Sequence, residues 1–394
     1  MNILLATIFE YPHTGGLSTH MQTLKAGLEH WGHRVDTLSF SDLPLVTRKY
    51  FVQAPSFLLN QKRQGSGFVW SQRRRMAYLR TLIKQVKNRY DVVGAQDVYA
   101  ALAAIQNNCP TVLTVHGYMA REAVSKGTVL PDSPEMAELE ETEKAAYTQA
   151  KRVVTVDRRI HDYIQELTGV DPIAIHNFID TEAFKPNKAN KVAYRKDLGL
   201  PETAEILFVP RRLTEKNGVI YPALAMPQLL KRHPEALLIY AGDGEEKDYL
   251  QNIIAQRQLQ KHIRLLGAVP HAHMQKYYAA SDVVLIPSVH SAGVEEATSI
   301  AALEAMGSKT PVVASAVGGL KEIIDHKKTG LLVQEKNIPD LVEAVDKLLR
   351  DRTFSESLAD CARQKIEAEF SHIRCAQKYA AIYQSALERP AATF

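Results

Sequence analysis

Short apolar runs rich in β-branched residues alternate along this chain with amphipathic stretches of roughly 12 to 18 residues, a pattern that predicts parallel strands joined by crossover helices. Predicted strands in the first half are MNILLAT, HRVDTLSF, YDVVGAQ, PTVLTVH and RVVTVD. Between the first two, Leu17, Met21, Leu24 and Leu28 recur at helical spacing and Gly32 fits a helix stop. A second series, EILFVP, ALLIYAG, IRLLGAV, DVVLIPS, TPVVAS and GLLV, begins near residue 205, with a linker expected near 180–200. Both halves therefore read as doubly wound α/β units, whose ligands bind beyond the carboxyl ends of the strands.

Composition adds few constraints. The 394 residues are 45% hydrophobic and 23% charged, without low-complexity runs, which suits two folded units of an enzyme. Cys109, Cys361 and Cys375 match neither a zinc site nor a disulfide framework, and no run of 18 apolar residues occurs. A reducing, cytoplasmic location is expected. Charge is more informative: from Leu43 to Tyr90 there are eleven basic residues and no Asp or Glu, interleaved with Tyr50, Phe51, Phe57, Phe68 and Trp70. One reading of this 43–90 region is peripheral contact with an anionic membrane; the plainer one is a solvated helix face plus a loop. No nucleic-acid motif accompanies the charge, so no nucleic-acid partner is expected.

Candidate chemistry concentrates in SAGVEEATSIAALEAMG, residues 291–307. Thr298 and Ser299 are good N-cap types and IAALEAM is a strong helix former, so a helix should start there with its first N–H groups open to an anion. Taken alone, Glu295 and Glu296 could cap that same helix. The wider stretch reads differently. It supplies Pro287-Ser288, Glu296, Glu304-Ala305-Met306, Pro311-Val312-Val313, Gly318-Gly319 and Glu322, and it resembles the most diagnostic block of the family 4 retaining glycosyltransferases. HTGGLSTHMQTLKAGLEHWGHRV, TVLTVHGY, IHNFIDTEAFKP, FVPRRLTEKNGV and a terminal FSHIRCAQKYAAIYQSAL extend the resemblance over nearly the whole chain.

That resemblance implies an α/β protein of the GT-B fold: two Rossmann-like doubly wound domains facing across a deep cleft. Residues 1–182, completed by a C-terminal helix at about 372–390, would form the acceptor domain, and 183–371 the nucleotide-sugar domain. It also implies roles. Glu304 would bind the nucleotide ribose and Glu296 the transferred sugar. Arg212, Lys216 and backbone N–H groups near Ala297, Thr298 and Ser299 would meet the diphosphate. His116 would sit beside the reacting sugar, and Gly15-Gly16 would let backbone approach phosphate. His116, Arg212, Lys216 and Glu296 are thus the catalytic candidates.

The donor expected is a UDP-hexose, the second substrate an unidentified acceptor, with no metal and no cofactor. Other GT-B chemistry (a phosphorylase or nucleotide-sugar epimerase) and a non-catalytic sugar-binding scaffold are the alternatives. Departures from the family pattern are Ala297-Thr298-Ser299 where Gly-Phe-Gly is frequent, Asn217 at the commonest lysine position, and Asp157, which receives no role. His-Ala-His at 271–273 reads as a loop.

Overall fold

The computed structural model describes residues 1–13, 15–291 and 298–388. The candidates Glu296 and Ala297 lie outside the described residues. The chain divides into two compact units, Met1–His176 with the segment from His372 onward, and Asn177–Ser371.

In the first unit six parallel strands run β1 (Asn2–Ala6), β2 (Arg34–Leu38), β3 (Val92–Ala95), β4 (Thr111–Val115), β5 (Arg152–Thr155) and β6 (Ile173–Ala174), in the spatial order β2-β1-β3-β4-β5-β6. Every residue of β3 and β4 is buried, because helices cover both faces; hence these strands read as unbroken apolar runs instead of alternating ones. Helix Val98–Ile105 buries Ala100, Ala101, Ala103 and Ala104, which share one core cluster with Val93, Ala95, Leu113 and Val115. The two residues of β6 are apolar but exposed and too short a run to stand out, and β6 was not among the predicted strands.

Helix His372–Leu387 belongs to this unit. It packs against helix Gly16–His30 at Gly27, where an added Cβ would lie 2.5 Å from the His372 carbonyl oxygen and 2.6 Å from Ala376 Cβ. Residues 45–62, for which a loop was one reading, form successive helical segments, Leu45–Arg48, Lys49–Gln53 and Ala54–Lys62, leading to the long helix Ser66–Val86. Its basic residues also find partners outside the segment: Arg48 pairs with Glu10, Arg63 with Glu135 and Arg73 with Glu138.

The second unit has six parallel strands, β7 (Ile206–Val209), β8 (Leu237–Tyr240), β9 (Ile263–Leu265), β10 (Val283–Ile286), β11 (Val312–Ser315) and β12 (Leu331–Val333), in the order β12-β11-β10-β7-β8-β9. The division at His176/Asn177 falls a few residues before the expected 182/183. Ile179 lies in the core of this unit and its N–H donates to the Phe370 carbonyl at 3.0 Å, while Asn177 Nδ2 donates to the Thr298 carbonyl at 3.1 Å.

The α/β reading with two parallel, doubly wound sheets is what the structure has. In each sheet the order reverses direction once, between β1 and β3 and between β7 and β10. Crevices at such reversal points, outside the carboxyl ends of the strands, are where ligands of open α/β sheets bind.

Candidate active site

In the second unit, chain leaving β7 and β10 converges at the reversal point. After β7 come Arg211 and Arg212, then the 3-10 turn Glu215–Asn217, which ends on Gly218. Gly218 has φ 60°, and a Cβ there would collide with the Pro287 carbonyl that follows β10. Only glycine meets both demands. The turn is further tied to that loop by the Val289 N–H, which donates to the Lys216 carbonyl at 2.9 Å.

The two adjacent arginines do different things. Arg211 is half-buried: its guanidinium donates to Ser299 Oγ at 3.0 Å, to Ser288 Oγ at 3.3 Å and to Asn217 Oδ1. Asn217, 5% exposed, passes the network on by donating from Nδ2 to the Arg212 carbonyl at 2.8 Å. Arg212 and Lys216 are exposed, and neither makes a salt bridge among the described residues. Asn217, at the commonest lysine position of the family pattern, is therefore an internal strut, and Lys216 is the cation facing solvent.

Helix Ile300–Gly307 begins where the sequence predicts, with Ser299 at the N-cap position. Its side chain does not cap the helix, contrary to expectation; the hydroxyl accepts from Arg211 instead. Thr298 is buried. One turn into the helix, Glu304 is 3% exposed, and both carboxylate oxygens are engaged: His271 Nε2 lies 2.6 Å from Oε1, and the Tyr278 hydroxyl donates to Oε2 at 2.8 Å. The hydrogen bond to Glu304 raises His271 above the ordinary imidazole value of 6.5, despite an opposing effect of burial. Burial, then the Glu304 charge, pushes the Tyr278 phenol well above its usual range.

His271-Ala-His is not a loop. It opens helix His271–Ala280 after Pro270, and the seven-residue spacing puts His271 and Tyr278 on one face of that helix. The sequence carried that signal, a histidine two turns before a tyrosine, but not its partner on another helix.

In the first unit His116 follows β4 and is half-buried. The Gln96 amide donates from Nε2 to the Gly94 carbonyl at 3.3 Å, so its oxygen faces His116 and accepts from Nε2–H at 3.1 Å. That fixes the imidazole tautomer and leaves Nδ1 as the lone-pair nitrogen. His20 meets the ring edge-on, centroids 4.6 Å apart. Desolvation first, then the neighbouring His20, holds His116 well below 6.5, so the ring is neutral at pH 7. Gly15 and Gly16 start the helix that carries His20. The unit thus gathers Gly15, Gly16 and His116, while Arg212, Lys216, Thr298, Ser299 and Glu304 gather in the other. Gln96, His20 and Tyr278, which contact these candidates, received no reading from the sequence, and Arg211, Ser288 and His271 were given no site role there. Among the described residues no group of three or more His, Cys, Asp or Glu comes together as a metal site.

The family described as Glycosyl transferases group 1 matches residues 190–366, and the one described as Glycosyltransferase Family 4 matches residues 14–183. An uncharacterised glycosyltransferase of Methanocaldococcus jannaschii is 30% identical over 414 aligned positions, covering 98% of this chain and 99% of that protein. The chain belongs to the family 4 glycosyltransferases. Solved structures agree on the fold of this glycosyltransferase. Sucrose-phosphate synthase from Thermosynechococcus elongatus superposes with a TM-score of 0.73 at 20% identity, covering 97% of this chain and 98% of that one. The Anabaena protein HepE in complex with UDP-glucose gives 0.69 at 18% identity, covering 98% and 100%.

Proposed function

We propose that this glycosyltransferase moves a hexose from a nucleotide sugar, a UDP-hexose in our reading, to an acceptor hydroxyl with retention of anomeric configuration and without a metal. The observation that carries the reading is the pairing of two exposed cations without a salt bridge among the described residues, Arg212 and Lys216, with the start of helix Ile300–Gly307 and its buried Glu304. UDP is the nucleotide held by the Anabaena relative.

In the reaction the bond between the sugar anomeric carbon and the β-phosphate oxygen breaks, and its electron pair leaves with the diphosphate. Arg212, Lys216 and the first-turn N–H groups of the helix stabilise that growing charge. Glu304 accepts hydrogen bonds from the ribose hydroxyls, and Glu296 does the same for the transferred sugar. The acceptor oxygen attacks the anomeric carbon from the face the leaving group departs, and its proton passes to the departing phosphate oxygen. Neutral His116 accepts a hydrogen bond at Nδ1 from a substrate hydroxyl. The first unit presents the acceptor, and its basic helical segment holds the protein at an anionic membrane surface on the cytoplasmic side.

Incubating the protein with UDP, GDP and ADP sugars while following slow hydrolysis by NMR identifies both the donor and the anomer released. Arg212→Ala and Glu304→Ala should fold normally yet lose turnover or donor binding at least a hundredfold, about 2.7 kcal/mol. EDTA should leave the wild-type rate unchanged. Wild-type activity in either variant, or an inverted product, overturns the reading.

A further inference from the structure

At the reversal point of the first sheet, beyond the carboxyl ends of β1, β3 and β4, lies a cavity of about 330 Å³. This is within the usual span of small-molecule pockets, roughly 300–1,000 Å³. Its wall is apolar: Phe9, Leu17, Phe68, Leu113, Met119 and Ala123 line it, with Leu113 on the sheet floor fully buried. His116 stands in the same wall.

Asp97, Glu143 and Gln96 in that wall already have protein partners, while the Tyr99 and Thr114 hydroxyls of the lining are buried with no hydrogen-bond partner among the described residues. Asp97 accepts from Thr7 Oγ1 at 2.8 Å, from Ile8 N–H at 2.9 Å and from Ala100 N–H at 2.8 Å. Glu143 accepts from Met119 N–H at 2.7 Å and from the Tyr147 and Tyr163 hydroxyls at 3.1 and 3.3 Å. The Gln96 amide is held between His116 and Gly94. Glu122 and Lys126 pair with each other at 2.9 Å. A polyhydroxylated ligand entering here would exchange water for a wall with few open hydrogen-bond partners, whereas an alkyl or aromatic group would lose nothing.

We infer that the cavity is the acceptor site and takes the apolar part of an amphiphilic acceptor, an alkyl or aromatic group, whose nearby hydroxyl is presented at His116. This rests on the glycosyltransferase reading of His116 but is tested by binding alone.

Octyl β-glucoside, kept below its micellar concentration, and methyl β-glucoside carry the same sugar and differ only in the apolar group. Titrated calorimetrically into the intact protein, the octyl compound should bind at least tenfold more tightly, with a negative heat-capacity change. Ala123→Phe, which fills the cavity, and Leu17→Trp, at its partly exposed rim, should each weaken octyl binding at least tenfold. Thermal melts identify a variant that has failed to fold, in which case Leu17→Trp decides. Equal affinities for the two glucosides, or octyl binding untouched by the folded variants, overturns the inference. Absence of nucleotide-sugar hydrolysis in the wild type overturns the enzymatic reading instead, and leaves the binding result standing. With an active donor, the octyl glucoside should also be glycosylated faster than the methyl one.

Discussion

Glu304 is held in place before any ligand reaches it. His271 and Tyr278 fix both carboxylate oxygens, yet each oxygen keeps a second lone pair that can accept a further hydrogen bond. Because the folded state raises His271 above 6.5, the protonated form is favoured by folding. The contribution of this pair is therefore complete below pH 6.5 and declines as pH rises through the higher folded-state value. The stability difference between wild type and His271→Ala, from urea unfolding, should be largest near pH 6 and shrink by pH 9. It should stay modest, since the His271 side chain is 44% exposed and solvent screens the pair. A difference that is constant over this range would rule out the titrating pair as its source. His116 and Glu304 were legible because each sits in a recognisable run, TVLTVHGY or ALEAM. Their partners were not. Gln96 comes from the end of β3 and His271 from a separate helix, and contacts between elements have no periodicity for a single sequence to display.

At the scale of elements, eleven of the twelve strands stood out, most clearly β1, β7, β8, β10 and β11, whose burial makes them apolar runs; β6, two residues long and exposed, did not. Capping was read less well. Ser299 was expected to cap and does not, while Asp157, which had been given no role, caps helix Arg158–Thr168 by accepting from Ile160 N–H at 2.8 Å. The segment 45–62 was harder still, because its apolar residues face outward. Leu45, Val46, Tyr50, Phe51, Phe57 and Leu58 are all at least 54% exposed. Val52, by contrast, packs inward with Phe40 and Leu43. An outward apolar face flanked by Lys49 and Lys62 suits an anionic lipid interface better than water. In sedimentation with vesicles, the protein should bind phosphatidylserine-containing membranes and not pure phosphatidylcholine. The double variant Phe51→Ser, Phe57→Ser should lose about tenfold in affinity while keeping its melting profile. Equal binding of variant and wild type would remove membrane contact from this face.

Across the whole chain, covalent order and folding unit diverge at one place. The last helix, His372–Leu387, follows the second unit in sequence but completes the first. It buries Cys375, Ala376, Tyr379 and Tyr383, packs on helix Gly16–His30, and its Ile373 carbonyl accepts a hydrogen bond from the Trp31 indole N–H at 2.8 Å. Gly94 in β3 has no side chain because the Tyr383 ring occupies that space. Removing the helix would leave this face of the sheet and of helix Gly16–His30 in water. Four or more large or medium side chains at roughly 1.5–3 kcal/mol each rival the whole stability of a domain, about 5–15 kcal/mol. The second unit has its own core, built on β7 to β12, and loses no strand by this cut. A chain ending at Ser371 should therefore show one cooperative calorimetric transition, from Asn177–Ser371, with the first unit unfolded and susceptible to protease. Nucleotide binding, if it resides in the second unit, should survive the truncation while transfer to any acceptor is abolished. Retention of a folded first unit would mean that the terminal helix is an accessory to that core and not part of it.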